Sequence, residues 1–243
     1  LSISHYNNIS SSSLLRVNGG GTFSASDFVI GHAAAGVEGL LLAGGTISMT
    51  GSSYIGFDGD GTASVTSGSW TSGGELIIGD SGTTGELTIS GGSVSAGNLT
   101  MARTAAATGT LNLNGGTLST GAIIESDGTG GAHVNFDGGE LRAQIIQADF
   151  FQNFETGDVQ LLSGGGTINT NGYNIGISTA LQGVGGFTKT GNGILTLTGT
   201  STYAGLTNAT AGTLLINGDS SGATGTLTVG IGATLAGSGI IGG

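Results

Sequence analysis

Six times along the chain, an apolar residue follows a short turn-forming stretch rich in Gly, Ser and Thr: Phe23, Ile47, Trp70, Val94, Leu118 and Leu141. Successive positions differ by 24, 23, 24, 24 and 23 residues. The last apolar residue before each turn keeps the same step, through Leu42, Val65, Ile89, Leu113 and Phe136. A third, looser column, in which the first three apolar residues precede Gly, runs Ile30, Ile55, Ile78, Met101, Ile124 and Ile146. A fixed period in this range is the mark of a stacked-repeat architecture.

Within each repeat the apolar residues alternate, as in Leu87-x-Ile89, Leu111-x-Leu113 and Val134-x-Phe136. A period of two places one face of a strand in a core. Three short strands per repeat, joined by Gly turns, describe one rung of a coil, and equivalent strands then pair in parallel between rungs. The expected fold is an all-β, right-handed parallel β-helix (a β-solenoid) of 23–24 residues per rung. About ten rungs at roughly 4.8 Å each give a rod on the order of 50 Å long.

Composition agrees. The chain has 53 Gly among 243 residues, no Pro, no Cys, 5% aromatic residues and a mean hydropathy of +0.26. Glycine lacks a Gly-X-Y period, which excludes collagen. Aliphatics spread from end to end exclude a disordered chain, and the scarcity of aromatics suits a thin stacked core. A net charge of -11 with only four basic residues excludes nucleic-acid binding, which needs a basic footprint.

The period falters once. From Leu141 to the next anchor, Ile168, is 27 residues, and the intervening stretch carries Phe150, Phe151 and Phe154 and no Gly before Gly157. Residues 142–160 therefore read as an inserted loop, a short helix against the rod, or an insertion that seals a defect in the stack. If they protrude, these phenylalanines are the candidate binding loop. Beyond Ile168 the strands resume with shorter rungs, Leu197 to Ile216 being 19 residues.

Residues 185–219 resemble the autotransporter-associated β-strand repeat. The match is carried by Phe187, Lys189, Gly191 and Gly193, by Leu195-Thr196-Leu197 and Gly199, then by Thr202-Tyr203-Ala204-Gly205 and Gly212-Thr213-Leu214. Leu206 departs from the pattern, standing where Gly or a polar residue is more usual. Residues 40–140 are similar, more loosely, to the LxIGxxGxGxLTISGG repeats of large surface proteins of the same secretion class. The resemblance implies the passenger of a type V secretion route, joined in its parent chain to a C-terminal outer-membrane β-barrel and shown at the cell surface. It further implies that the repeat, through Phe187, Lys189, Gly191, Gly193, Leu195, Leu197, Tyr203 and Gly205, assists passenger folding during export. The expected organisation is β-helix repeats over 1–185 and the passenger repeat continuing the same coil over 186–243. The chain reads as a passenger fragment, without signal peptide or barrel strands.

Candidate chemistry is sparse. Asp58, Asp60 and Asp80, with Glu86, Glu125 and Asp127, recur near one edge of the rungs, and the first three are candidates for weak Ca²⁺ binding. Arg103 interrupts that edge, which otherwise reads as a solvated acidic border. His5, His32 and His133 lack metal-ligand spacing. Polysaccharide-cleaving β-helix enzymes are resembled only by Gly31-His32-Ala33, and their Asp pair and Arg-x-Lys are missing, so no catalytic residue and no cofactor is expected. Outward residues beside the second column (Ser64, Thr88, Asn112 and Asn135) are polar without forming a Thr ladder. The expected function is adhesion or cell–cell aggregation, toward a host or neighbouring-cell protein or glycan or another copy. A stalk whose repeat promotes export is the alternative.

Overall fold

The computed structural model describes residues 14–32, 38–126 and 131–242. His5 and Asp127 lie outside the described residues. The described residues form a β-solenoid of about nine turns, built of parallel strand pairs and without helices.

One turn is typical. Thr84–Ile89, Ser93–Ser95 and Leu99–Met101 follow one another, and Thr108–Leu113 then returns to pair in parallel with Thr84–Ile89. Thr84–Ile89 alternates outward and buried residues, so Leu87 and Ile89 face the core. Three columns of interior side chains result, and the first two are the columns read from the sequence. Phe23, Ile47, Trp70, Val94, Leu118, Leu141 and Ile168 occupy equivalent register positions. Leu42, Val65, Ile89, Leu113, Phe136 and Leu161 do likewise. All are buried, because no single rung can enclose its own apolar residues and each must pack on the next.

The third column differs from expectation at its end. Ile30, Ile55, Ile78 and Met101 stack as read, but the residue in register with Met101 is Glu125, not Ile124. Ile124 pairs with Thr100 on the outer face, and Ile146 is 71% exposed. A slip of one residue moves a side chain to the opposite face of a strand. Periodicity alone placed Ile124 inward, whereas hydrogen-bonded register turns Ile123 and Glu125 inward.

The residue after each of the first four third-column positions turns the chain through a left-handed conformation: Gly31, Gly56 and Gly79 have φ of 78°, 77° and 78°, and Ala102 has 48°. At Gly79 an added Cβ would stand 2.2 Å from the carbonyl oxygen of Thr108 in the next turn, so both conformation and close approach require glycine.

Residues 142–160 join two kinds of turn. Phe151–Gln152 ends the third ladder by pairing with Ile123 and Ile124, and Gln147 bridges to Ile175, where a new ladder begins. That ladder comprises Ile175–Ile177, Ile194–Leu197, Gly212–Ile216 and Ala233–Ala236. Its turns are shorter, with Leu197 paired to Ile216 and Lys189 to Ala209. Phe150 and Phe151 are fully buried at the junction and Phe154 packs against them, its ring 5.7 Å from that of Phe151.

Candidate binding faces and a buried lysine

Lys189 stands in the first interior column, in register with Ile168 and Ala209, and is fully buried. Its Nζ donates to the carbonyl oxygens of Thr190 at 2.8 Å, Gly191 at 2.7 Å and Ala211 at 3.0 Å, and to Thr170 Oγ1 at 3.2 Å. These acceptors come from three successive turns. Thr170 Oγ1 also accepts from the Gly193 amide at 3.1 Å and donates to the Thr190 carbonyl at 3.1 Å. None of these four acceptors is a carboxylate, so burial pulls the Lys189 ammonium down from 10.5 to about 8.

The rest of the repeat supports this cage. Gly191 has φ of 75°, and a Cβ there would press on Asn171 N at 2.5 Å. Gly193 and Gly205 lie where turns touch, with Tyr173 O 1.8 Å and Gly186 N 2.3 Å from their would-be Cβ atoms. Phe187 and Tyr203 are buried edge to face at 5.5 Å, and the Tyr203 hydroxyl pairs with Thr207 Oγ1 at 2.6 Å. Leu195 and Leu197 stack on Ile175 and Ile177. The sequence-expected folding residues therefore come together as one interior unit. The polar cage around Lys189 has no periodic signal of its own, because three of its four acceptors are backbone carbonyls.

The acidic residues do not converge. Asp58 is exposed, and Asp60 is exposed with Oδ1 accepting the Thr84 amide at 2.8 Å. Asp80 is buried, forms an ion pair with Arg103 of the next turn, and accepts the Ser81 amide at 2.7 Å. Arg103 in turn lies over the Tyr54 ring, 5.3 Å from its centroid. Asp27, Asp137 and Asp149 repeat the Asp60 pattern, each accepting a backbone amide from the following turn (Ser52, Gly164 and Ser178). Their role is to satisfy turn amides between rungs. Among the described residues no three His, Cys, Asp or Glu side chains gather for a metal. Glu125 is interior, its Oε1 accepting the Gly131 amide at 2.9 Å, while His32 stacks on Phe57 and His133 faces Asp158 at 3.6 Å. Phe150 and Phe151 sit in the core, where no ring face is open to a partner.

The outer face of the first ladder is the most regular polar surface. Ser64, Thr88, Asn112, Asn135, Gln160 and Gln182 occupy one outward column over six turns. Asn135 Nδ2 donates to Asn112 Oδ1 at 2.9 Å, and Asn112 Nδ2 to Glu86 Oε1 at 2.8 Å. Asn112 and Asn135 are held in this way and stay partly exposed, which leaves a row of donors and acceptors along the rod.

The class is thus a parallel β-solenoid with an internal lysine-centred repeat and an outward amide ladder. Residues 187–216 match the family described as Passenger-associated-transport-repeat. Over 91 residues the chain is 44% identical to a protein of Brucella suis biovar 1 (strain 1330) described as Adhesin BmaC autotransporter. That stretch is 37% of this chain and 3% of the relative, so the chain spans a small part of that protein's length. No solved structure matches the chain. The sequence resemblance to an autotransporter passenger is borne out by these two matches together with the fold.

Proposed function

We propose that this chain is part of a surface-displayed autotransporter passenger that acts in adhesion, without enzymatic activity. The amide ladder is the observation that carries this reading. Four stacked turns present Thr88, Asn112, Asn135 and Gln160 in one register column. Such a row suits hydroxyl-rich glycans or the backbone of an extended protein segment, because preset hydrogen-bond partners lose little freedom on binding. The similarity to a relative described as an adhesin supports the same reading, as does the expected place of such a passenger outside the cell.

The test is binding of the purified, folded chain to arrays of host-matrix proteins and glycans, with heat-unfolded chain alongside. Saturable binding that needs the folded form and is lost in Asn112→Leu/Asn135→Leu supports the proposal. Binding by neither form, or undiminished binding by the double variant, refutes it. The cage around Lys189 favours a second reading, in which residues 187–216 make stacking during export more stable and this part of the rod serves as a stalk. Retained surface display and protease resistance after deletion of 186–219 would eliminate that reading.

A further inference from the structure

Asn is followed by Gly five times in the chain, at Asn18, Asn114, Asn171, Asn192 and Asn217. The pair is chemically labile, because glycine has no side chain to shield its amide nitrogen from the carboxamide before it. Reaction requires two freedoms. The glycine N–H must have no acceptor to hold it, and the Asn carboxamide must be able to swing onto the nitrogen.

The fold withdraws one or both at four of the five sites. Asn171 Nδ2 donates to the Ala143 carbonyl at 3.0 Å, and its Oδ1 accepts from Arg142 at 2.8 Å. The Gly193 amide donates to Thr170 Oγ1 at 3.1 Å, at the edge of the lysine cage. The Gly218 amide donates to the Leu197 carbonyl at 3.0 Å, and Asn217 Oδ1 accepts the Ser238 amide at 3.2 Å. Asn18 Oδ1 accepts from Arg16 Nε at 2.9 Å. Asn114 differs. It is exposed at the turn that follows Thr108–Leu113, and among the described residues neither its carboxamide nor the Gly115 amide has a hydrogen-bond partner. Its own backbone amide donates to the Ile89 carbonyl at 2.9 Å, so the ladder holds the turn and leaves the reacting atoms free.

We infer that Asn114 is a site of spontaneous deamidation, the first of the five Asn-Gly pairs to convert in the folded rod. The Gly115 nitrogen gives its proton to base and attacks Asn114 Cγ. The N–Cγ bond forms, the Cγ–Nδ2 bond breaks, and the amide nitrogen leaves as ammonia after taking up a proton. Water then opens the cyclic imide at either carbonyl, leaving aspartate or isoaspartate at position 114. Water is the sole co-reactant, and nothing is oxidised or reduced. The product carries one further negative charge on the outward side of the strand, two residues from Asn112. The inference concerns the covalent state of the chain and does not rest on ligand binding by the amide ladder.

Peptide mapping by mass spectrometry tests it, on folded chain incubated in heavy-oxygen water with guanidinium-unfolded chain alongside. In the unfolded chain the five pairs should convert at comparable rates. In the folded chain Asn114 should convert first, at a rate that rises with pH. The other four should lag by roughly fivefold or more, the factor imposed by breaking a hydrogen bond worth about 1 kcal/mol. The first charge-shifted species seen by ion exchange should be missing from Asn114→Gln. Folded chain that leaves Asn114 intact, converts another pair first or converts all five alike overturns the inference, as does the same first species in Asn114→Gln.

Discussion

Lys189 shows how one residue bears two opposing demands. Its place in the apolar column buries the ammonium, and four acceptors from three turns compensate for the lost water. Burial has lowered its pKa from 10.5 to about 8, so between those values the unfolded chain binds more protons than the folded one. Stability is therefore expected to rise with pH from about 8 toward 10.5. Denaturant titrations over that range check this, and Lys189→Met should flatten the rise. A stability that falls over the same window would contradict the account of the cage. At Gly79, where φ is 78° and the Thr108 carbonyl leaves no room for a methyl group, Gly79→Ala should cost at least about 2 kcal/mol by urea unfolding.

At the scale of the element, the interior stack governs stability. Leu113 is fully buried between Ile89 and Phe136, so Leu113→Asp should abolish cooperative thermal unfolding, read by circular dichroism. Phe151→Ala at the junction should cost about 3–5 kcal/mol, a value expected of a core residue and not of a loop. The junction also shows what the sequence made legible. Two of the three columns were readable because Leu, Ile and Val recur at one period. The third misled at Ile124 and Ile146, since an apolar residue at the right distance does not reveal which way its strand faces. The burial of Phe150 and Phe151 agrees with one of the readings of that segment, the insertion that seals a defect in the stack, and not with the protruding loop. A glycine-poor aromatic segment that interrupts a repeat suits a protruding loop as well as a plug, and here a change from 23–24-residue turns to shorter ones demands large side chains to fill the space. The Lys189 motif was legible through its resemblance to a passenger repeat, but its carbonyl cage was not, because backbone acceptors leave no trace in residue type.

For the whole molecule, the solenoid separates tasks by surface. The interior columns give stability, and the outer amide ladder is proposed to meet a ligand. Each assignment follows from the parallel register, which carries any outward residue into a straight row along the rod. The central claim is that the displayed rod adheres through its amide ladder, and attachment of cells that display this chain within its parent passenger tests it most directly. Wild type should attach to the matrix or glycan surface identified by array binding. Asn112→Leu/Asn135→Leu should be displayed at the same level and fail to attach. Equal attachment by both would contradict the claim.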